Sequence, residues 1–171
     1  MQEQKVALSQ AHFQRLVTEH GPTLYRMAYR MVGHAQEAED IVQDTYRSAW
    51  KSRQSFRTGY SERAWLITIL RRRAVDRWRH KPQPQPLSDP EGLDVAAPYE
   101  DPFADQYTDE MQAALARLSP ELRECLLMVV VGELTHQETA DTLSIPIGTV
   151  LSRVSRARKQ LRKALLAVAE D

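Results

Sequence analysis

The sequence of 171 residues has a single cysteine, Cys125, which excludes an internal disulfide and a cysteine-cluster metal site. Its longest fully apolar run, from Cys125 to Val131, is seven residues long. A membrane-spanning helix needs about 20 such residues. The first residues also lack the charged and then apolar pattern of a signal peptide. These absences predict a soluble, intracellular protein that works in the cytoplasm without inserting into a membrane.

The sequence also lacks a net charge: its 23 Lys and Arg residues balance 23 Asp and Glu residues, so the formal net charge is zero. The balance is a cancellation between segments of opposite sign. Residues 1–80 hold 14 basic and 8 acidic side chains, residues 81–112 hold one basic and 8 acidic, and residues 113–171 hold 8 basic and 7 acidic. Overall neutrality therefore does not argue against a nucleic-acid partner.

The acidic middle of the chain has the composition of a linker. Six of the nine prolines fall between Pro82 and Pro102, and proline neither continues a helix nor donates to a sheet. With few apolar residues to bury, such a segment cannot offset the entropy lost on ordering. We predict a helical domain over 1–80, a linker over 81–104 and a second helical domain over 105–171. We hypothesise that the acidic linker covers basic faces of the domains before a partner binds.

Apolar residues on both sides of this linker recur at the three- and four-residue spacing of buried helix faces. Leu126 to Val131 could be a strand by composition, but the helical spacing of Leu122, Leu126 and Val129 favours a buried helix. We therefore predict an all-α fold of two small domains. The predicted helices lie within 24–32, 38–50, 62–80, 111–118, 120–132, 135–143 and 147–165.

A helix-turn-helix is predicted near the C-terminus. Thr135 and Glu138 have the spacing of a capping box, and Pro146 helps to end the helix before a longer one begins at about Ile147. Between residues 150 and 163 the charged side chains are six basic and none acidic, which favours a recognition helix over a merely solvated face. The candidate DNA contacts are Gly148, Thr149, Ser152, Arg153, Arg156 and Arg158.

The segment Gly148-Thr-Val-Leu-Ser-Arg-Val-Ser-Arg-Ala-Arg, with Thr135-His-Gln-Glu-Thr-Ala before it, resembles region 4 of bacterial sigma-70 factors. It is most similar to the extracytoplasmic-function (ECF) group. That resemblance implies recognition of duplex DNA at the upstream (−35) promoter element. Two positions depart from the group: Leu151 stands where Lys or Arg is frequent, and Ser144 stands where a turn glycine is frequent.

An acidic helix start, with Glu37, Glu39, Asp40 and Asp44, precedes Trp50. Carboxylates there stabilise the helix dipole, and a divalent metal site is the least favoured interpretation because no His or Asp constellation accompanies them. The segment 37–50 resembles sigma region 2.2, which implies docking on core RNA polymerase. The docking candidates by that resemblance are Asp40, Gln43, Asp44, Arg47 and Trp50.

The next predicted helix, 62–80, is strongly basic and carries Trp65 and Trp78. Cations that follow phosphates beside aromatic pockets suit a strand with exposed bases. Residues 64–79 resemble sigma regions 2.3 and 2.4, which implies recognition and melting of the downstream (−10) element, although Arg72 replaces a frequent Asn. The candidates for contact with the melted strand are Phe56, Arg57, Arg63, Arg71, Arg72, Arg73, Asp76 and Arg77.

These features predict an ECF-type sigma factor whose partners are core RNA polymerase and promoter DNA, with an anti-sigma protein implied by the resemblance. The five histidines lack nucleophile or metal-ligand spacing and no Gly-rich phosphate loop is present, so we expect neither an enzyme nor a bound cofactor or metal. The alternative is a stand-alone helix-turn-helix regulator. It would leave the acidic helix and the basic-aromatic helix without a role.

Overall fold

The computed structural model describes residues 8–57, 59–79 and 109–169, and the side chains of 78–79 and 168–169 lie outside that description. The predicted linker over 81–104 also lies outside the described residues. The described residues form seven α-helices, which confirms the all-α prediction. In chain order they are α1 (Gln10–Val32), α2 (Ala35–Lys51), α3 (Glu62–Arg79), α4 (Asp109–Ala116), α5 (Pro120–Val130), α6 (His136–Leu143) and α7 (Ile147–Ala169).

Helices α1 to α3 form an N-terminal unit in which each helix packs against the other two. The sequence pattern predicted only the second half of α1, whereas the helix begins at Gln10. Ser9 caps it by accepting a hydrogen bond from the His12 N–H at 3.2 Å, and Gly33 ends it in the left-handed conformation at φ 77°. Early polar positions such as Gln14 and Arg15 hide the apolar pattern of this half.

Helices α4 to α7 form a C-terminal unit, with α7 packed against each of the other three. Ser119 caps α5 by accepting a hydrogen bond from the Leu122 N–H at 3.5 Å, and Pro120 occupies the first helical turn. The apolar run 126–131 lies in and just after α5, so it is a buried helix and not a strand.

One apolar core runs through both units. Leu24, Met27 and Ile41 belong to it in the N-terminal unit, and Met128 and Val150 in the C-terminal unit, all at most 1% exposed. A smaller cluster of Leu8, Leu16 and Phe56, with Trp65 beside it, closes the end of the N-terminal unit. Continuity of the core means that the two units are in direct contact and bury apolar area between them. Among the described residues, no helix has the length and apolar character needed to cross a membrane.

Candidate nucleic-acid interfaces

The helix-turn-helix consists of α6, a short turn and α7. Thr135 and Glu138 form the predicted capping box: the Thr135 N–H donates to Glu138 Oε2 at 2.8 Å and the Glu138 N–H donates to Thr135 Oγ1 at 3.1 Å. Ser144 ends α6 in the left-handed conformation, at φ 54° and ψ 45°. The Ile145 N–H then donates to the Ala140 carbonyl at 3.1 Å. These local bonds set the angle at which α7 leaves the turn.

One face of α7 is buried and the opposite face is exposed. Val150, Val154 and Ala157 are at most 3% exposed and fix the helix on its own unit. Opposite them, the exposed positions in the first turns carry small or polar groups together with the apolar Ile147 and Leu151, and basic groups follow. A Cβ at Gly148 would meet no atom within 4 Å, so this helix start is open to a partner. Exposed here are Gly148, Ser152, Arg156 and Arg158, while Thr149 is half-buried.

Arg153 is placed differently from the other predicted contacts of α7. It is half-buried, and its guanidinium lies against α5, near the Cys125 thiol and Glu121. Burial raises the pKa of the Cys125 thiol, and Arg153 partly opposes that shift. The pKa of Glu121 is lowered chiefly by hydrogen bonds at its helix start, with a smaller contribution from Arg153. Arg153 therefore joins α7 to α5 at the edge of the exposed face.

The basic side chains of α3 divide into an exposed group and a paired group. Arg72 and Arg73 are exposed, as is Asp76, the acidic member of the candidate set on this helix. Arg77 pairs with α2, since its Nη2 lies 2.7 Å from Asp40 Oδ2. Arg63 and Arg71 form ion pairs with carboxylates of the C-terminal unit: Arg63 Nη1 lies 2.8 Å from Glu133 Oε2, and Arg71 Nε contacts Glu124 Oε1.

The loop before α3 presents polar groups and one aromatic ring. Phe56 is 5% exposed and its ring packs edge-to-face on Trp65, with centroids 5.2 Å apart. This placement keeps the Phe56 ring inside the small cluster, unlike the surface position that a strand contact needs. Arg57 is exposed and Tyr60 is 57% exposed. Tyr60, which the candidate set omitted, is therefore the aromatic ring that this loop offers to solvent.

The predicted docking residues share one face of α2. Asp40 is tied to Arg77, and Asp44 Oδ1 accepts from Arg47 Nη1 at 3.1 Å within the same helix. Gln43 is half-buried between them. The Trp50 ring packs edge-to-face on the Phe13 ring with centroids 5.1 Å apart, and the Arg53 guanidinium carbon lies over the Trp50 ring, 4.1 Å from its centroid. The structure thus brings four polar candidates together and leaves the tryptophan half-buried between two neighbours.

Reasoning from sequence missed Glu124 and Glu133 altogether. They lie 53 and 70 residues from the arginines that they contact, and neither belongs to a motif. Glu133 also lines an open cleft, together with Glu19, His20, Ser61, Glu62, Arg63 and Glu138. Within the part of the chain that the structure describes, no three His, Cys, Asp or Glu side chains are placed to hold a metal ion.

Comparison with known families gives two matches that together cover most of the chain. The family model described as sigma-70 region 2 matches residues 16–82, and that described as sigma-70 region 4 matches residues 108–161. The first includes α2 and α3, and the second includes the helix-turn-helix.

Three relatives are similar over most of this chain. ECF RNA polymerase sigma factor SigE of Mycolicibacterium smegmatis is 36% identical over 88% of this chain and 60% of its own length. SigW of Bacillus subtilis is 30% identical over 90% of this chain and 88% of its own, and EcfG of Rhodopseudomonas palustris is 33% identical over 88% and 83%. The chain thus spans less than two thirds of SigE but most of SigW and EcfG.

Among solved structures, sigma factor RpoE of Bartonella quintana in complex with the anti-sigma factor NepR superposes with a TM-score of 0.71. It is 28% identical and covers 90% of this chain and 96% of RpoE. CnrH in complex with the cytosolic domain of CnrY has a TM-score of 0.73 at 24% identity, over 93% of this chain and 90% of the other, and shares its fold.

Proposed function

This chain belongs to the ECF group of the sigma-70 family of RNA polymerase sigma factors, and we propose from that membership that it binds core polymerase and directs initiation at specific promoters. The observation that carries the proposal is the presence, in one chain, of an acidic face on α2, a basic α3 and a basic helix-turn-helix. Each of these three features corresponds to one step of initiation.

We assign one proposed role to each of three segments of the chain. Residues 1–80 dock on core polymerase through the polar face of α2 and engage the melted downstream strand through α3 and the preceding loop. Residues 81–104 tether the second domain, so that its contact with the promoter becomes intramolecular and two weak DNA readers reinforce each other. Residues 105–171 read the duplex upstream element through α7, whose exposed start faces base edges while later basic groups suit phosphates.

The exposure of the candidate side chains supports a narrower set of proposed DNA contacts. Arg156 and Arg158 are exposed on α7, so they are better placed than the half-buried Arg153 to reach a groove. In the downstream interface, Arg72 and Arg73 are presented to solvent, whereas Phe56 supports the loop from within. We accordingly assign direct contact to the exposed arginines and a positioning role to Arg153 and Phe56.

The competing function is a stand-alone helix-turn-helix regulator that acts without polymerase. It requires only α6 and α7, whereas the family match extends over α2 and α3 as well. The work of an initiation factor is binding and positioning, which calls for no catalytic residue. Since its targets are polymerase and chromosomal DNA, we place the protein in the cytoplasm. An anti-sigma protein is a further proposed partner, because the related RpoE was solved in complex with one.

Run-off transcription with purified core polymerase on a promoter library tests this function. We expect defined start sites with core plus this protein that core alone does not use. Absence of any new start site would refute the sigma-factor assignment, and tight duplex binding without polymerase would support the regulator instead.

Two variants separate the proposed surfaces within that assay. Asp44→Ala should weaken binding to core polymerase, because it removes an exposed carboxylate from the docking face. Arg156→Ala should leave polymerase binding unchanged and weaken use of the upstream element by about 1–3 kcal/mol if it contacts a base. The reverse pattern would show that the two surfaces are wrongly assigned.

A further inference from the structure

The first two turns of α7 carry two exposed apolar side chains on one side of the helix. Ile147 is 43% exposed and Leu151 is 49% exposed. They are four residues apart, so their side chains are neighbours on the helix surface. Single exposed apolar residues are common on soluble proteins. A neighbouring pair is more specific here, because the N-terminal turns of a recognition helix are the ones that contact base edges.

Leu151 lies among the residues assigned above to the upstream element. Gly148 comes one turn before it and Ser152 follows it directly, and both are exposed. The space around Gly148 is open, since an added Cβ there would meet no atom of the described residues within 4 Å. Leu151 thus shares the exposed start of α7 with two candidate contacts, although the candidate set omitted it.

The start of α7 presents no exposed cation to a base. From Ile147 to Ser152 no side chain is charged. Arg153 is half-buried beside α5, so the first exposed cation is Arg156 in the third turn. A bidentate contact from Arg or Lys to guanine is the commonest specific contact in the major groove. The first two turns therefore need another means of distinguishing bases.

The hydroxyl groups in these turns discriminate poorly between bases. Ser and Thr hydroxyls both donate and accept, so they pair with more than one kind of base edge. The Ser152 hydroxyl also donates to the Thr149 carbonyl at 3.0 Å, which leaves it chiefly an acceptor toward a partner. Base selection by the first two turns consequently falls to the apolar side chains.

An exposed leucine suits the 5-methyl group of thymine. Leucine has no hydrogen-bonding atom, so against the polar edge of guanine, adenine or cytosine it would displace water without replacing the lost hydrogen bonds. Thymine presents a methyl group in the major groove, and apolar side chains contact it. Contact between Leu151 and this methyl group buries apolar area on both partners.

The residues that follow on the same side of α7 favour DNA over a protein as the partner. Arg158 and Arg162 continue the row of Ile147 and Leu151 at helical spacing, and both arginines are exposed. An apolar groove on a protein would accommodate the first two side chains and leave the cations unpaired. In a duplex, phosphates flank the base edges, so the whole row has complementary groups.

We infer that Leu151, with Ile147 beside it, is a specificity-determining residue that recognises the 5-methyl group of thymine in the upstream element. The inference rests on the proposed function and adds a base preference to it. Lys or Arg at this position would favour guanine, whereas leucine favours thymine. Promoters used by this protein should therefore carry a thymine, on one strand or the other, at the base pair that faces Leu151.

Uracil substitution tests this contact because it removes only the methyl group from thymine. Promoters are first selected with core polymerase and the parent protein from a library randomised in the upstream element. Each thymine of the selected element is then replaced by uracil in turn, and the affinity of the polymerase complex is measured by competition. We expect at least one replacement to weaken binding by about three- to fivefold. No effect at any thymine would overturn the inference.

Leu151→Ala identifies the side chain that makes the contact. Alanine preserves the helix and is too short to cover the methyl group, so the variant should lose the effect of uracil at that position. The matched control is Leu166→Ala, since Leu166 is 55% exposed near the other end of α7. This control should retain the full effect. A uracil effect of parental size in Leu151→Ala would assign the methyl contact to another side chain and overturn the inference.

Leu151→Arg exchanges the chemistry at the same position. Selection from the same library should then replace the thymine at that base pair by guanine, because a guanidinium pairs with the two acceptors of guanine. Binding to core polymerase should be unchanged in this variant and in Leu151→Ala. Retention of the thymine preference by Leu151→Arg would contradict the inference. So would a loss of polymerase binding, which would show that the apolar pair contacts protein.

Run-off transcription with core polymerase separates this inference from the function on which it rests. If the parent protein directs initiation at selected promoters and uracil leaves its affinity unchanged, the thymine contact is wrong and the sigma-factor assignment stands. If it directs no initiation, the assignment fails, and the uracil comparison is made on duplex sites that the protein selects alone. Loss of affinity with uracil there, absent in Leu151→Ala, would support the thymine contact in a stand-alone regulator.

Discussion

At the scale of single residues, the turn of the helix-turn-helix has serine at a position whose backbone conformation favours glycine. Ser144 has φ 54° and ψ 45°, which glycine adopts without a Cβ penalty. Glycine is frequent at this position in the family that the motif resembles. This chain keeps the left-handed turn and has serine in it.

Replacing Ser144 with glycine should therefore stabilise the protein. We expect Ser144→Gly to raise the free energy of unfolding by about 0.5–1 kcal/mol, since relief of the left-handed strain exceeds the added flexibility of the unfolded chain. Urea denaturation measures the change. Ser155→Gly, on the exposed face inside α7, is the control and should lower the same free energy by about 0.5 kcal/mol. A loss of stability in Ser144→Gly would contradict the strain argument.

His20 gives the second prediction at this scale. It is 6% exposed in a cleft with Glu19, Glu62, Arg63, Glu133 and Glu138, and burial is the main cause that lowers its pKa below 6.5. Between the lowered pKa and 6.5 the unfolded chain binds a proton that the folded chain does not. Stability should consequently fall as the pH drops from about 7 through this window.

Urea midpoints measured from about pH 7.5 down to about pH 5.5 check this dependence. His20→Gln should show a smaller loss on acidification than the parent protein, whereas the control His34→Gln, at an exposed position before α2, should retain the parent's loss. Identical pH profiles for the parent and His20→Gln would exclude His20 as the group responsible.

At the scale of elements, α2 combines its proposed docking role with a structural role in adjacent turns. Asp40 pairs with Arg77 of α3 at 2.7 Å, whereas Asp44, as far as the described residues show, pairs within α2, with Arg47 at 3.1 Å. Both carboxylates lie on the same face and have the same charge. The helix therefore offers two nearly matched positions that differ in their connection to the rest of the unit.

Removing these charges one at a time should separate the two roles. Asp40→Asn should lower the free energy of unfolding by about 0.5–1 kcal/mol because it breaks a contact between helices, and Asp44→Asn by about 0.3 kcal/mol or less. Both should weaken binding to core polymerase. Urea denaturation and polymerase binding, measured on both variants, provide the comparison. Greater destabilisation by Asp44→Asn would contradict the assigned pairing.

At the scale of the whole molecule, the two helical units share one apolar core, and two arginines of α3 form ion pairs with glutamates of the C-terminal unit. Some of the opposite charges that balance in the sequence are therefore also paired in the structure, since Glu124 and Glu133 lie against Arg71 and Arg63. We hypothesised that the acidic linker covers the basic faces. That hypothesis concerns residues outside the described ones, whereas the folded C-terminal unit covers two of these arginines directly.

The ion-paired contact between the two units should accordingly respond to ionic strength. The Debye length falls from about 10 Å at 0.1 M salt to about 3 Å at 1 M, which weakens partly exposed pairs. We expect the radius of gyration from small-angle X-ray scattering to increase as sodium chloride is raised over this range. The combined Glu124→Gln and Glu133→Gln variant should be more expanded at low salt and less responsive. A radius independent of salt in the parent protein would mean that the ion pairs do not hold the units together.

The sequence by itself determined the features that depend on neighbouring residues. The predicted helices, the Thr135 capping box and the break before Pro146 follow from spacings of a few residues, and the structure confirms each of them. The first half of α1 was missed because its apolar positions are sparse, although its Ser9 cap and its Gly33 end are local signals. Motif resemblance extended the same local information to a family and its function.

Only the tertiary structure decided how candidate residues are used. It enclosed Phe56 beside Trp65, turned Arg153 toward α5 and paired Arg63 and Arg71 with glutamates 70 and 53 residues away. Side-chain partners at such separations depend on how helices pack, and packing is decided by the whole core at once. A basic residue is visible in the sequence, but whether a carboxylate already neutralises it depends on the fold.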